Sequence, residues 1–394
     1  MNRNRNKPAG TFSEGLGRRK FFNFSFGCAL FCGAFQLIPF SLSASTCAQT
    51  IKKGLLGRKL SPYFTPLPDK RVRCELCPRQ CETGNGERGY CRVRENRDGR
   101  YYSLVFGNPC AVHVDPIEKK PFFHVLPSTK SFSLATAGCN LNCKFCQNWE
   151  ISQADPADTL NYELSPEQVV ENASRAQCAS IASTYVEPTI FNEYMMEIGK
   201  SAKERKILNV MHSNGFINPK PLEDLCGVLD AACIDLKGFT EKYYAEITEG
   251  TLAPVLETLK CLKKRGVHTE IVNLIVPGKN DGTAEIRAMS RWIRDELGPD
   301  VPLHFTRFYP LYKLKSLDPT PISTLEAAWK TAAEEGLHFV YLGNIPGHPA
   351  EDTICPQCRK VVIKRVGYNV SSVSLDKGKC AGCGRTIPGI WSTT

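Results

Sequence analysis

The chain has 394 residues, nineteen cysteines, 23% charged residues and a net charge of +10. The first 73 residues hold thirteen Lys and Arg against two acids, which leaves the remaining 321 close to neutral. A neutral body argues against a specific nucleic-acid surface and suits a small-molecule or protein substrate. The length allows one domain of about 200–250 residues with smaller modules beside it.

In chain order, residues 1–50 open with basic side chains (Arg3, Arg5, Lys7, Arg18, Arg19, Lys20). An apolar stretch from Phe21 to Phe40 follows, then small residues from Ser41 to Ser45. That is the order of a secretory leader, and Arg18-Arg19-Lys20-Phe21-Phe22 resembles a twin-arginine signal. An uncleaved membrane tether is a second reading, since about 20 apolar residues span a bilayer, although Asn23, Ser25 and Gln36 interrupt the run. A start codon assigned too far upstream is a third. Cys47 lacks a leucine at the offset a lipid anchor needs. Residues 51–70 form a basic linker carrying Pro62, Pro66 and Pro68.

Residues 71–130 make an N-terminal module around Cys74, Cys77, Cys81 and Cys91, spaced C-x2-C-x3-C-x9-C. Four thiolates suit zinc, the preferred reading, and also a fully ligated auxiliary [4Fe–4S] cluster. The polar run from Ala111 to Pro121, followed by His124, is either a cover packed beside the next domain or a solvated loop.

From 131 to 349 the pattern alternates. Strand-like runs fall at 131–137, 180–185, 207–212, 232–236, 270–276, 302–308 and 337–342. Helical patterns fall at 166–177, 190–204, 220–229, 252–265, 284–297 and 324–335. Alternation of this kind implies parallel strands with crossover helices. The expected fold is therefore α/β, a partial (β/α)6 barrel flanked by small cysteine-rich metal-binding modules. Functional residues of such barrels sit at the C-terminal ends of the strands.

The motifs fall at those ends. Cys139, Cys143 and Cys146 follow the first run as C-x3-C-x2-C. Three thiolates can hold three irons of a [4Fe–4S] cluster and leave the fourth open, whereas an electron carrier normally has four protein ligands. A structural zinc or a chance triplet is the alternative. Glu187-Pro188 ends the second run, where an acid also suits a helix start. The third run ends at His212-Ser213-Asn214-Gly215, the fourth at Asp235-Leu236-Lys237 and the fifth carries Asn273. Asp235 and Lys237 are two apart in a strand and so share a face, here the barrel interior. His304, Arg307 and the run Gly343 to His348 are candidates for a cavity wall, or for core and rim. Residues 352–391 hold Cys355, Cys358, Cys380 and Cys383, two C-x2-C pairs separated by 21 residues, which matches a zinc ribbon.

The cysteine triplet resembles the signature of radical S-adenosylmethionine (SAM) enzymes. From Arg73 to Trp391 the chain resembles the radical SAM component of the AmmeMemoRadiSam system, and more distantly pyruvate formate-lyase activating enzymes. The residues that carry this are Cys74 to Cys81, Val114 to Pro121, Gly138 to Ile151, Val186 to Phe191, Asp235 to Gly238 and Gly343 to His348. The resemblance implies a [4Fe–4S] cluster on Cys139, Cys143 and Cys146, with SAM on its open iron. It implies that Glu187 meets the SAM amino group and that Lys237, positioned by Asp235, meets the carboxylate. Asn214 is a further contact and Asn273 a contact to the ribose. His212 stands where related activases often carry Asp, so a cation site there is in doubt.

The implied reaction is reductive cleavage of SAM to a 5′-deoxyadenosyl radical that removes hydrogen, from a protein or peptide in an activase-like reading or from a small molecule. An electron donor of the flavodoxin or ferredoxin kind would serve it. SAM points to the cytoplasm, whereas the leader points to export or membrane attachment. A non-catalytic iron–sulfur and zinc protein for electron transfer or binding is the reading from a different class.

Overall fold

The computed structural model describes residues 50–393. The leader, tether and Cys47 expectations lie outside the described residues.

The alternating pattern folds as read, with one strand added. Lys130–Ala135, Ser180–Ser183, Leu208–Ser213, Ala231–Asp235, His268–Ile275, Leu303–Arg307 and Val340–Gly343 are strands β2 to β8. Ala111–Pro116, inside the polar run, is an additional strand β1. The sheet order is the chain order, from β8 through β2 to β1; β2 to β8 run parallel and β1 is antiparallel to β2. Six helices make the crossovers: α1 Pro166–Arg175, α2 Asn192–Glu204, α3 Pro219–Cys226, α4 Ala253–Lys264, α5 Thr283–Trp292 and α6 Ile322–Glu334. A sheet wound in one direction places its helices on one face and curls the other inward. The result is a partial (β/α)6-type barrel, open between β1 and β8.

Local sequence fixes the helix starts. The Ser165 hydroxyl accepts the Gln168 N–H, Gln168 accepts the Ser165 N–H at 2.8 Å, and Pro166 stands at the first helical position. This reciprocal cap satisfies two donors a helix otherwise leaves unpaired.

The inside of the barrel is plugged by residues 117–126. Ile117, Phe122, Val125 and Leu126 are buried against Ala182, Val210, Ala231, Cys233 and Val272 of the strands. The polar run expected as a cover or a loop is therefore an edge strand followed by a floor. Behind it the C-terminal module docks through Phe123, Phe339, Tyr341, Val362 and Ile363. Its long hairpin, β9 Val361–Val366 and β10 Asn369–Val373, brings its turn to the open side of the barrel.

The N-terminal module is bolted on by a buried ion pair. Arg94 donates to both oxygens of Glu193 on α2, at 2.8 and 2.5 Å, and to the Ile190 carbonyl at 3.1 Å. Both side chains are almost fully buried, so removing one leaves an uncompensated charge. Arg94→Met should lower the unfolding free energy by about 3–5 kcal/mol in urea denaturation, and Arg94→Met/Glu193→Leu should recover most of it. An equal loss in both variants would contradict this account.

Candidate active site

The loop that follows β2 has neither helix nor strand from residue 136 to 148, so its backbone groups need partners elsewhere. Asn142 N–H donates to the Thr248 carbonyl at 3.0 Å, Lys144 N–H to Ile247 at 2.9 Å and Gly138 N–H to Ile151 at 2.9 Å. Asn140, fully buried, donates to the Phe216 carbonyl and accepts from Asn214 Nδ2, both at 2.8 Å. These bonds hold Cys139, Cys143 and Cys146, all free thiols, against a cavity of about 1160 Å³.

The same cavity receives Glu187, His212, Asn214, Asp235 and Lys237. Glu187 is buried; it accepts from Thr189 N–H at 2.9 Å, Ser213 Oγ at 2.7 Å and Asn214 N–H at 2.7 Å. Burial pushes its carboxyl up, and these donors only partly oppose that. Asp235 lies between His212 Nε2 and Lys237 Nζ, each at 2.9 Å. Burial works against its ionisation, yet Lys237 and His212 together hold its carboxyl well below the ordinary range. Lys237, raised in turn by Asp235 against its own burial, points its ammonium over the Phe145 ring at 5.6 Å.

Asn273 is the exception among the expected residues. Its Nδ2 donates to the Leu236 carbonyl at 2.7 Å, and the neighbours Val272 and Leu274 line the cavity in its place. Strand alternation turns it to the other face, where it braces the turn that carries Lys237. His304, Gly343, Asn344 and Pro346 do line the cavity, whereas Arg307 Nε bonds the Thr320 carbonyl.

The three thiols can be tested against what they could hold. In the C-terminal module Cys355 and Cys383 are 3.6 Å apart, as are Cys358 and Cys380. Among the described residues this is the group whose ligand atoms all lie within 4.8 Å of one another. A tetrahedral zinc with Zn–S near 2.3 Å asks for thiolates about 3.8 Å apart, so this set fits a single ion. Burial opposes ionisation of Cys355, but the N–H groups of Cys358 and Gln357 and the adjoining thiols bring it down to about 7. Cys139, Cys143 and Cys146 are three free thiols of one loop that line the cavity, a donor set that fits a cluster in which each thiolate takes its own iron. Cys74, Cys77, Cys81 and Cys91 gather behind this loop, with Val72, Leu76 and Tyr101 packed around Cys74 and Cys81.

One group was not expected. Lys120, buried on the floor, places Nζ 2.5 Å from Asp115 Oδ2 and 3.1 Å from the Tyr185 hydroxyl, which also donates to Asp115. Burial lowers Lys120 to about 8 against the pull of Asp115. The clue was an acid and two lysines interleaved with apolar residues, but which partner each meets is a long-range matter.

Residues 133–293 match the Radical SAM superfamily. An uncharacterized protein of Methanocaldococcus jannaschii is 46% identical over 327 residues, 82% of this chain and 97% of that protein. A 7-carboxy-7-deazaguanine synthase of Thermococcus kodakarensis is 27% identical over 150 residues, 34% of this chain and 58% of that enzyme. A benzylsuccinate synthase activating enzyme of Thauera aromatica is 24% identical over 108 residues, 27% of this chain and 33% of that one.

The depressed Asp235 carboxyl sets a pH signature. Its ionised form stabilises the fold fully above the unfolded carboxylate value near 3.9, and that contribution is lost as pH falls through the lower folded value. In urea titrations the stability gap between wild type and Asp235→Asn should be steady from about pH 6 to 8 and close below about pH 4. A gap that widens on acidification would contradict the assignment.

Proposed function

The chain belongs to the radical SAM superfamily, with homology to glycyl-radical activating enzymes, and from that premise we propose that it generates a 5′-deoxyadenosyl radical to remove hydrogen from a protein or peptide. The family implies a [4Fe–4S] cluster and SAM. The observation that supports the assignment most is that three free thiols of one loop open onto a cavity shared with Glu187 and the Asp235–Lys237 pair. When bound, a cluster with SAM on its open iron supplies the one-electron cleavage of the sulfonium.

The chain's own residues bind and orient. Cys139, Cys143 and Cys146 would hold three irons of the cluster. Lys237, kept charged by Asp235, offers its ammonium to the SAM carboxylate. Glu187, whose oxygens are already fixed by three donors, is the acceptor for the amino group and does not swing when it arrives. Asn214 ties that end to the cysteine loop through Asn140. Glu187 and Lys237 thus fix opposite ends of one amino acid before the reaction begins, and fixed dipoles of this kind need no reorganisation during it.

The run Val114 to Pro121 supports assignment as the radical SAM component of the AmmeMemoRadiSam system; the one-electron reduction such chemistry needs calls for a donor of the flavodoxin or ferredoxin class. Cys355, Cys358, Cys380 and Cys383 are read as a closed structural zinc site, since all four ligands come from the chain. A small-molecule substrate is the second reading, favoured by Lys120 and Tyr185, which line the cavity and share Asp115 as a partner.

Anaerobic reconstitution with iron and sulfide, reduction with dithionite and assay of SAM cleavage test the proposal. Wild type should form 5′-deoxyadenosine, and Cys143→Ala should lose at least about a hundredfold in rate, more than 2.7 kcal/mol of transition-state stabilisation. Equal rates in the two would overturn it.

A further inference from the structure

We propose that Lys120 is a covalent catalytic residue, whose amine condenses with the aldehyde or ketone carbonyl of a small-molecule substrate and so fixes it in the cavity. That the bond serves radical chemistry rests on the proposed function, in its small-molecule reading; the bond itself needs neither cluster nor SAM.

An amine that attacks carbonyls must be desolvated, reachable from a cavity and close to groups that move protons. Lys120 meets each condition. Its side chain is 1% exposed, yet it lines the cavity of about 1160 Å³. Its Nζ stands 2.5 Å from Asp115 Oδ2 and 3.1 Å from the Tyr185 hydroxyl, and lies 4.2 Å from the centre of the Tyr185 ring. Asp115 is shared. Lys119 Nζ lies 2.8 Å from its Oδ1, and the Tyr185 hydroxyl also donates to it. One carboxylate therefore serves two neighbouring ammoniums. His113, two residues before Asp115 on the same face of β1, stands edge-on to the Tyr185 ring at 5.7 Å. Burial and the adjacent Lys119 charge both favour the free amine, the nucleophilic form, and bring Lys120 to about 8 against the pull of Asp115.

The backbone is strained to present the phenol. Tyr185 has φ of +66°, and the Val186 N–H donates to the Thr184 carbonyl at 2.8 Å. That is a three-residue turn in a hand a bulky side chain rarely adopts, and strain of this kind gathers at functional sites. The Tyr185 carbonyl accepts from Asn148 Nδ2 at 2.5 Å, and Asn148 lies two residues after Cys146. Glu187 follows two residues after Tyr185. Amine, phenol, cysteine loop and acid thus open on one space.

The step balances without a further reactant. Asp115 takes a proton from the Lys120 ammonium, and the free amine attacks the carbonyl carbon. One amine proton passes to the oxygen, which gives a carbinolamine. Asp115 returns its proton through the Tyr185 hydroxyl to that oxygen, which leaves as water. A protonated imine remains. A C–N double bond has replaced the C–O double bond, and nothing is oxidised or reduced. The covalent link removes the freedom a small molecule would keep in so large a cavity, and the reverse steps release it.

Reductive trapping on the reconstituted full chain at pH 7, with glyoxylate as the probe, tests this. Cyanoborohydride reduces the imine to a secondary amine, and peptide mass mapping locates the carboxymethyl group left behind. Lys120 should be marked at least about tenfold faster than Lys119, because a lysine near 8 holds far more free amine at neutral pH than one near 10.4. Tyr185→Phe should slow the marking of Lys120 at least about tenfold and leave Lys119 unchanged. Lys120→Arg, which keeps a cation beside Asp115, should abolish the fast phase. Marking of Lys119 with Lys120 untouched would overturn the proposal, and so would a fast phase that persists in Lys120→Arg. An unchanged rate in folded Tyr185→Phe would overturn the proton path through the phenol. Should that variant fail to fold, the wild-type ratio and Lys120→Arg decide. Trapping is read without SAM, so the two readings separate. Loss of SAM cleavage with Lys120 marked would count against the radical chemistry alone, and SAM cleavage with Lys120 unmarked against the covalent lysine alone.

Discussion

The site depends on immobilising a loop that has no secondary structure of its own. A helix or strand satisfies its backbone internally, but residues 136–148 must borrow partners, and they borrow from three directions. Ile247 and Thr248 take two N–H groups, Asn214 and Phe216 clamp Asn140, and Arg79 of the N-terminal module caps the Asn140 carbonyl. On the remaining side Lys313 N–H donates to the Lys144 carbonyl at 2.9 Å, and Tyr312 stacks on Trp149 with ring centres 5.3 Å apart. The loop is consequently as well fixed as a strand, while its thiols remain free to face the cavity. Fixing ligands before the metal arrives avoids an ordering cost on binding.

The second constraint is the opening in the sheet. A partial barrel leaves edges at β1 and β8 and an interior that its own strands cannot fill. The chain solves both with segments from outside the repeating units. Residues 117–126 fill the base, and Glu270 ties them down by accepting from the N–H groups of Phe123 and His124 at 3.0 and 2.8 Å while bonding His304 Nε2 at 2.7 Å. His124 continues to Tyr341 and to the Pro388 carbonyl, each at 2.6 Å, so floor, sheet edge and C-terminal module form one hydrogen-bonded unit. The C-terminal module is therefore part of the cavity wall, with Gly367 and Tyr368 of its hairpin turn lining it.

How much of this was legible in the sequence follows from the range of each interaction. All seven parallel strands and six crossover helices were readable, because hydrophobic period is a local property. The strand-end motifs were readable for the same reason: parity along a strand placed Asp235 and Lys237 on one face, where they do share the cavity. Asn273 failed that rule because its inward neighbours are Val272 and Leu274, and a polar residue in a strand can equally brace an adjoining turn. The run 111–124 was opaque because its charges look solvated until their partners are known. Asp115, Lys120 and His124 are satisfied by one another, by Tyr185, and by residues more than a hundred positions away.

The central claim is that the three cavity thiols would hold a [4Fe–4S] cluster, and that Glu187 and Lys237 of the same cavity would bind SAM beside it. The electron paramagnetic resonance spectrum of the dithionite-reduced full chain, recorded with and without SAM, tests it most directly. The account predicts a change in the spectrum on adding SAM that is greatly reduced in Glu187→Gln and Lys237→Met and absent from Cys139→Ala/Cys143→Ala. A wild-type spectrum that SAM leaves untouched would contradict it.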